Sequence, residues 1–567
     1  MFGFGSSRSD PLADARSAER WIAAGVTSDA LTMHERIRSV LAEVTAPGVT
    51  LTPKRLAALF VIDAHALALF KALTVQYIGH AGRSVKIERQ IWSAIFDLTQ
   101  AFQSAYQNFG RVAFENESNA KWRGMIPELL CRHVVHLGRD AKARLYRYEA
   151  WIPGKWAELH GLLTRATSMQ IERQAVVLTP ERPSTTIEHQ YLMTLVLQIM
   201  DSGNMTAPQI EQLWEELDGW CASLRLSLSV RAPNAFYVDL ASREGLKRRP
   251  TKPIEGSVLF IDTQPLHALL TQQQVMLGEV ARDKPRSDDS KRASAKLALL
   301  ARFAAKVDPE FKPLPRSGDR TPMKDNVDAI AGLAKIAGFL REEDRDPNFE
   351  AYAGKSFGGT LELAVFGRVR NESDRRVELA RHRLAQYAAP GGPWEVKDVS
   401  STGFKLIAPA ASAGAFSIGT LVAIRPFGKK DWTLGVVRRL KRPTADNTEV
   451  GFQRIASEIS GVDLVEQRRS AETDYSVDGD GGMISGRSFV ALFLVLRKRD
   501  GTAAAQSLML PVIEYHAGKR LTLVMSKGIF RVVLGGAIEQ QSDWVWTAVE
   551  AQELGATLST ATGDSQR

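Results

Sequence analysis

A chain of 567 residues is too long for one hydrophobic core, and 44% apolar with 24% charged residues excludes wholesale disorder. Two cysteines, Cys131 and Cys221, exclude a disulfide framework or a thiolate-rich zinc site and fit a reducing compartment. The formal charge of +9 favours anionic partners without choosing among nucleotide, nucleic acid and membrane headgroups.

The first residues lack the basic segment and apolar run of a signal peptide. Residues 14–223 read as a helical region. Leu56, Leu59 and Phe60, then Ile91, Ile95, Leu98 and Phe102, follow three- and four-residue spacings. Such stripes need neighbouring helices, which implies a bundle or a solenoid; no fixed-period repeat accompanies them. The most apolar stretch, Leu56 to Leu73, is interrupted by Asp63, His65 and Lys71 and is predicted to be a buried helix, not a transmembrane segment. A cytoplasmic location is the expectation. Cys131, His133 and His136 do not share one helical face and have no acidic fourth ligand in the local sequence, so they read as ordinary helix residues with no metal. Two more helices are predicted over 187–201 and 207–223.

Residues 224–281 form a mixed β/α segment, with strands at Leu224–Val230, Ala235–Leu240 and Ser257–Ile261 and a solvated basic turn at Lys247–Pro250. The charged stretch 282–293 reads as a linker. Residues 294–357 hold a helix over 294–306 and a proline-flanked extended segment containing Arg316-Ser-Gly-Asp-Arg320. Residues 358–470 alternate as the strands of a small barrel. They start with Leu361–Val369, then a short basic helix over Asp374–Gln386 and a hard turn at Pro390–Pro393. A Gly-rich linker is predicted over 475–486, followed by a further small β domain over 487–550. The fold class is thus multidomain α + β: a helical bundle or solenoid-like region, an antiparallel β-barrel and a second small β domain.

One hexapeptide stands out. Asp398-Val399-Ser400-Ser401-Thr402-Gly403 sits between two alternating strands in WEVKDVSSTGFKLIAP, and IGTLVAIRP, WTLGVVRRL and EVGFQRI follow it. This order resembles the PilZ family of cyclic-di-GMP receptors, whose signature is an RxxxR loop followed by (D/N)xSxxG. The resemblance spans the strands around the hexapeptide and leaves the helical half unrecognised. It implies a PilZ-like barrel with cyclic-di-GMP as ligand, bound by Asp398, Ser400, Gly403 and a pair of arginines. Chemically, the arginine fork suits a phosphate or the O6/N7 edge of guanine, Asp398 suits a guanine Watson–Crick edge, and Gly403 permits a positive φ and close backbone approach. The same Asp, Ser and Gly also suit a plain turn.

Which arginines serve is open. Arg316 and Arg320 have the RxxxR spacing but stand far upstream of Asp398, with intervening sequence that has to be an insertion. Arg375 and Arg376 are nearer but lack the spacing, and Arg381 and Arg383 also fit the solvated face of a short helix. No Walker loop, nucleophile elbow, HExxH or dinucleotide fingerprint is present, and no aromatic-rich RNA-reading strand, so neither an enzyme nor a nucleic-acid binder is expected. The reading is a cytoplasmic cyclic-di-GMP effector without a further cofactor, whose helical region docks a protein partner. The alternative is a degenerate PilZ-like adaptor that makes protein contacts and binds no nucleotide.

Overall fold

The computed structural model describes residues 10–553 except 26–27, 81–83, 201, 229–235, 250–257, 284–286, 312–319, 346–381, 413, 415, 428, 445, 467–486, 498–502 and 526–527. The chain divides into two units, Met1–Pro315 and Arg316–Arg567.

In the first unit the apolar spacings become α1 (Ala15–Ala23), α2 (Ala30–Thr45), α3 (Pro53–His80), α4 (Val85–Glu115), α5 (Ala120–Leu145), α6 (Pro153–Ser168), α7 (Ile187–Ile199) and α8 (Ala207–Cys221). Side chains of Asp14, Asp29, Asn119 and Thr186 accept from backbone N–H groups at four of the N-termini, satisfying donors that a helix leaves open. One continuous apolar core joins these helices, as in a bundle. α3 is long and apolar enough to cross a bilayer, and most of its apolar window is buried among its neighbours.

Four short strands follow: β1 (Leu226–Ser227), β2 (Phe236–Asp239), β3 (Lys247–Arg248) and β4 (Val258–Ile261), antiparallel in the order β1-β4-β2-β3. The solvated turn predicted at Lys247–Pro250 is therefore corrected at its first two residues. Arg248 donates to the carbonyls of Lys306 (2.7 Å) and Asp308 (3.1 Å), and its guanidinium lies over Phe236 and Phe311. Of the linker predicted over 282–293, residues 284–286 lie outside the described residues, and residues 282–283 and 288–293 are helical. α9 (Gln264–Asp283) and α10 (Asp288–Val307) pack together, and Ser287 caps α10. Asp288 and Asp289 suit the positive end of the helix dipole, so polarity here marks a helix start and not a break between domains.

The second unit holds two closed barrels. The first contains β5 (Thr321–Ala331), β6 (Trp394–Ser400), β7 (Gly403–Pro409), β8 (Leu421–Pro426), β9 (Thr433–Lys441) and β10 (Asn447–Ala456), in the order β10-β7-β6-β5-β8-β9. The second contains β11 (Glu458–Val465), β12 (Ser488–Arg497), β13 (Ala503–Pro511), β14 (Arg520–Met525), β15 (Gly528–Gln540) and β16 (Trp544–Glu553), in the order β11-β12-β13-β16-β15-β14. The α + β class and the two β domains agree with the sequence reading. Two strand assignments differ. β5 lies in the stretch read as helix and proline-rich segment, and β11 belongs to the second barrel, which starts well before 487. The predicted strand Leu361–Val369 and the linker 475–486 lie outside the described residues; of the short basic helix, residues 382–387 are described and helical.

Between β5 and β6 the chain runs through α11 (Leu333–Arg345), which packs on β11 and β12 as well as on β5 and β8. Ile336, Ala337, Phe339 and Leu340 share one core with Leu421 and Leu434 of the first barrel and Leu492, Met509 and Trp544 of the second. At Gly461 of β11 an added Cβ would lie 2.1 Å from the Ala337 carbonyl oxygen, so only glycine lets the helix backbone rest on that strand. Arg341 fixes the contact by donating to Asp463 at 2.6 Å.

Candidate functional site

β5 begins directly after Arg320 and pairs with β6, with Thr321 opposite Val399 and Pro322 opposite Asp398. The pairing slips between Pro322 and Asp325, and the pairing of β6 with β7 slips between Val396 and Asp398. Such bulges re-aim side chains, and both fall at Lys397, immediately before Asp398, one toward each neighbouring strand. Arg320 Nη1 donates to Asp398 Oδ1 at 2.9 Å, joining residues 78 apart in sequence. Arg320 is about half exposed, at 48% of its side chain, against 22% for Asp398. A half-exposed pair of this kind is worth about 0–1 kcal/mol, so it positions the guanidinium without tying it down. The intervening sequence is the β5–β6 connection that carries α11.

Ser400 Oγ donates to the Gly403 carbonyl at 3.2 Å and closes the turn through Ser401 and Thr402. The role expected of Gly403 is corrected in one respect. It is absent from the positive-φ glycines, but a Cβ there would stand 2.0 Å from the Phe452 carbonyl oxygen. Close approach of β7 to β10, and not a left-handed turn, is what requires glycine. The backbone N–H of Arg454 donates to the Thr402 carbonyl at 2.9 Å, and the Arg454 guanidinium lies 5.2 Å over Phe404 beside the turn.

The structure therefore brings Arg320, Asp398, Ser400 and Gly403 to one face of the first barrel. Arg316, and the alternative pair Arg375 and Arg376, lie outside the described residues. The face offers a poised guanidinium, a carboxylate and a hydroxyl, a set suited to a phosphate and a purine edge.

In the helical unit a second polar cluster is buried. Asp63 of α3 accepts from Tyr106 (2.6 Å), from Arg132 Nη1 (3.2 Å) and from His136 Nε2 (2.9 Å). Burial pulls the His136 pKa down to about 4, so the ring is neutral and donates its Nε2–H. Burial opposes ionisation of Asp63, yet His136 and Arg132 together hold its carboxyl well below the ordinary value. His133 pairs separately with Glu158 at 2.9 Å, and burial pushes the Cys131 thiol up to about 12. Among the described residues no three metal-type side chains converge. Beside the cluster, Tyr106, Phe114, Leu129, His133, Glu158 and Leu162 line a cleft of about 430 Å³.

The helical unit matches a known family. A family model described as the N-terminal domain of the cyclic-di-GMP receptor FimW matches residues 16–233. The cyclic-di-GMP receptor FimW of Pseudomonas aeruginosa is 22% identical over 361 residues, which cover 57% of this chain and 58% of that protein. The chain thus spans less than two thirds of that relative's length. The family match falls on the half that the sequence reading left unrecognised and does not extend to the barrel that carries Asp398.

Sequence reasoning missed several residues that the structure brings to these sites. Asp63 was legible only as a charge in an apolar helix, and its partners lie on α4 and α5.

Proposed function

We propose that this protein is a regulatory receptor for cyclic-di-GMP, with the ligand on the first-barrel face around Arg320 and Asp398. The observation that carries the proposal is the Arg320–Asp398 pair, in which the last arginine of an RxxxR segment meets the first residue of a D-x-S-x-x-G turn across 78 residues. Similarity of the helical half to the N-terminal domain of a cyclic-di-GMP receptor supports it independently. In this reading Arg316 and Arg320 clasp phosphate and guanine, Asp398 accepts from a guanine Watson–Crick edge, and Ser400 and Gly403 set the turn against the ligand. The protein acts in the cytoplasm, catalyses nothing, and docks a protein partner through its helical unit.

Calorimetric titration of cyclic-di-GMP into the full chain tests this. Arg316→Ala, Arg320→Ala and Asp398→Ala are each expected to weaken binding at least about tenfold, equivalent to about 1.4 kcal/mol. Undiminished affinity in all three variants would place the ligand elsewhere.

A further inference from the structure

We infer that Arg438 is a further cation of the same ligand face, held in reserve by the second barrel, and that the anionic dinucleotide competes with Glu539 for it. The inference rests on the function proposed above.

Arg438 is the extra residue of a bulge in β9. Arg439 pairs with Gly451 and Val437 with Phe452, leaving Arg438 without an opposite residue in β10. A bulged residue is aimed out of the regular alternation. Its Nε donates to Gln453 Oε1 at 2.6 Å. Gln453 is the cross-strand neighbour of Gly403, and Gly403 is that of Ser400. Neighbouring strands lie about 4.8 Å apart, so Gln453 stands roughly 10 Å from Ser400 across the barrel wall. Gly403, between them, places no side chain in the way. A cyclic dinucleotide seated on Arg320, Asp398 and Ser400 can extend over that gap to Arg438.

The far side of the guanidinium is already occupied. Nη1 and Nη2 donate to the two carboxylate oxygens of Glu539 on β15, at 2.7 and 2.6 Å. Gln541 donates to the same carboxylate at 2.7 Å. Burial works against the Glu539 charge, but these hydrogen bonds hold its pKa below the ordinary value, so it is ionised at neutral pH. The pair is partly open, with Arg438 at 37% and Glu539 at 21% exposure. A phosphate offers the forked acceptor geometry that a carboxylate does, and it is the chemical group able to take the carboxylate's place. The two barrels stay joined through the shared core when this happens. What changes is the surface of the second barrel, which gains a freed carboxylate when the ligand is bound.

Cyclic-di-GMP titrations of the full chain with Glu539→Gln, Arg438→Gln and the double variant test the competition. Removing the competitor in E539Q is expected to tighten binding roughly three- to fivefold, and R438Q to weaken it by a similar factor. In the double variant E539Q gives no gain over R438Q alone. Should R438Q fail to fold, Arg438→Lys keeps the charge and loses the fork, and an intermediate affinity is expected. Wild-type affinity in every one of these variants, alongside loss in Arg320→Ala, overturns the inference and leaves Arg438 as a barrel-joining residue. Silence from the wild-type chain overturns the proposed function and this inference with it.

Discussion

Asp63 shows how much a single buried carboxylate can organise. It sits on α3 with 1% exposure and gathers one donor from α4 and two from α5. Removing it leaves Arg132 charged and Tyr106 without its partner in the core, a change that costs on the order of 3–5 kcal/mol when a buried pair is broken. The cluster also makes stability depend on pH. His136 titrates near 6.5 when unfolded and near 4 when folded. Between those values the unfolded chain binds the extra proton, so stability is full above pH 6.5 and falls as the pH drops toward 4. Asp63, depressed in the fold, extends the loss in the same direction at lower pH. Thermal unfolding of the full chain is expected to show this slope, and His136→Gln, which keeps a donor but does not titrate, to flatten it by on the order of 2 kcal/mol. An unchanged slope in H136Q would assign the acid sensitivity to other groups. None of this was legible in the sequence, where His133 and His136 stood as helix residues. The partner of His136 lies 73 positions upstream. Local spacing carries no information about it.

At the scale of elements, the hairpin of β6 and β7 illustrates what a motif conveys and what it hides. Strand alternation on both sides of Asp398–Gly403 was readable, because period-two patterning and turn residues are local properties. The reason for Gly403 was not, because the Phe452 carbonyl that excludes a side chain belongs to β10. Gly403→Ala is therefore expected to push β10 from β7 and lower the melting temperature of the barrel unit by several degrees, in the range of overpacking costs of about 1–3 kcal/mol. A variant that melts like wild type would show that β10 moves aside freely. β5 was hidden for a different reason. Its first six residues are exposed, so it has no alternating stripe, and the proline-rich lead into it reads as irregular.

For the molecule as a whole, the boundary between barrels is the main departure from the sequence reading. A cut near residue 470 looked natural there, because the Gly-rich stretch that follows has the composition of a linker. In the structure β11 has already entered the second barrel by Glu458, and α11 is buried against both barrels. Trp544, fully buried, donates its indole N–H to the Gly419 carbonyl at 2.9 Å across the joint. The two barrels therefore depend on one core. A fragment of residues 316–553 is expected to unfold in a single cooperative transition. One ending at 466 loses the side chains that cover Leu421, Trp432 and Leu434, and is expected to bind a hydrophobic dye or aggregate. A monomeric 316–466 fragment with a sharp melt would show that the first barrel stands alone.

The route of the chain through α11 also sets an order in time. β5 is the first strand of its barrel to be synthesised, yet both of its neighbours, β6 and β8, come after the long connection that contains α11. A strand that has to wait for distant partners contributes slow, non-local contacts to folding. On the ribosome Arg320 emerges well before Asp398, and the shared core closes only after Trp544 has been made. The face that joins those two residues is thus completed late, so an unfinished chain presents no assembled site to whatever ligand surrounds it.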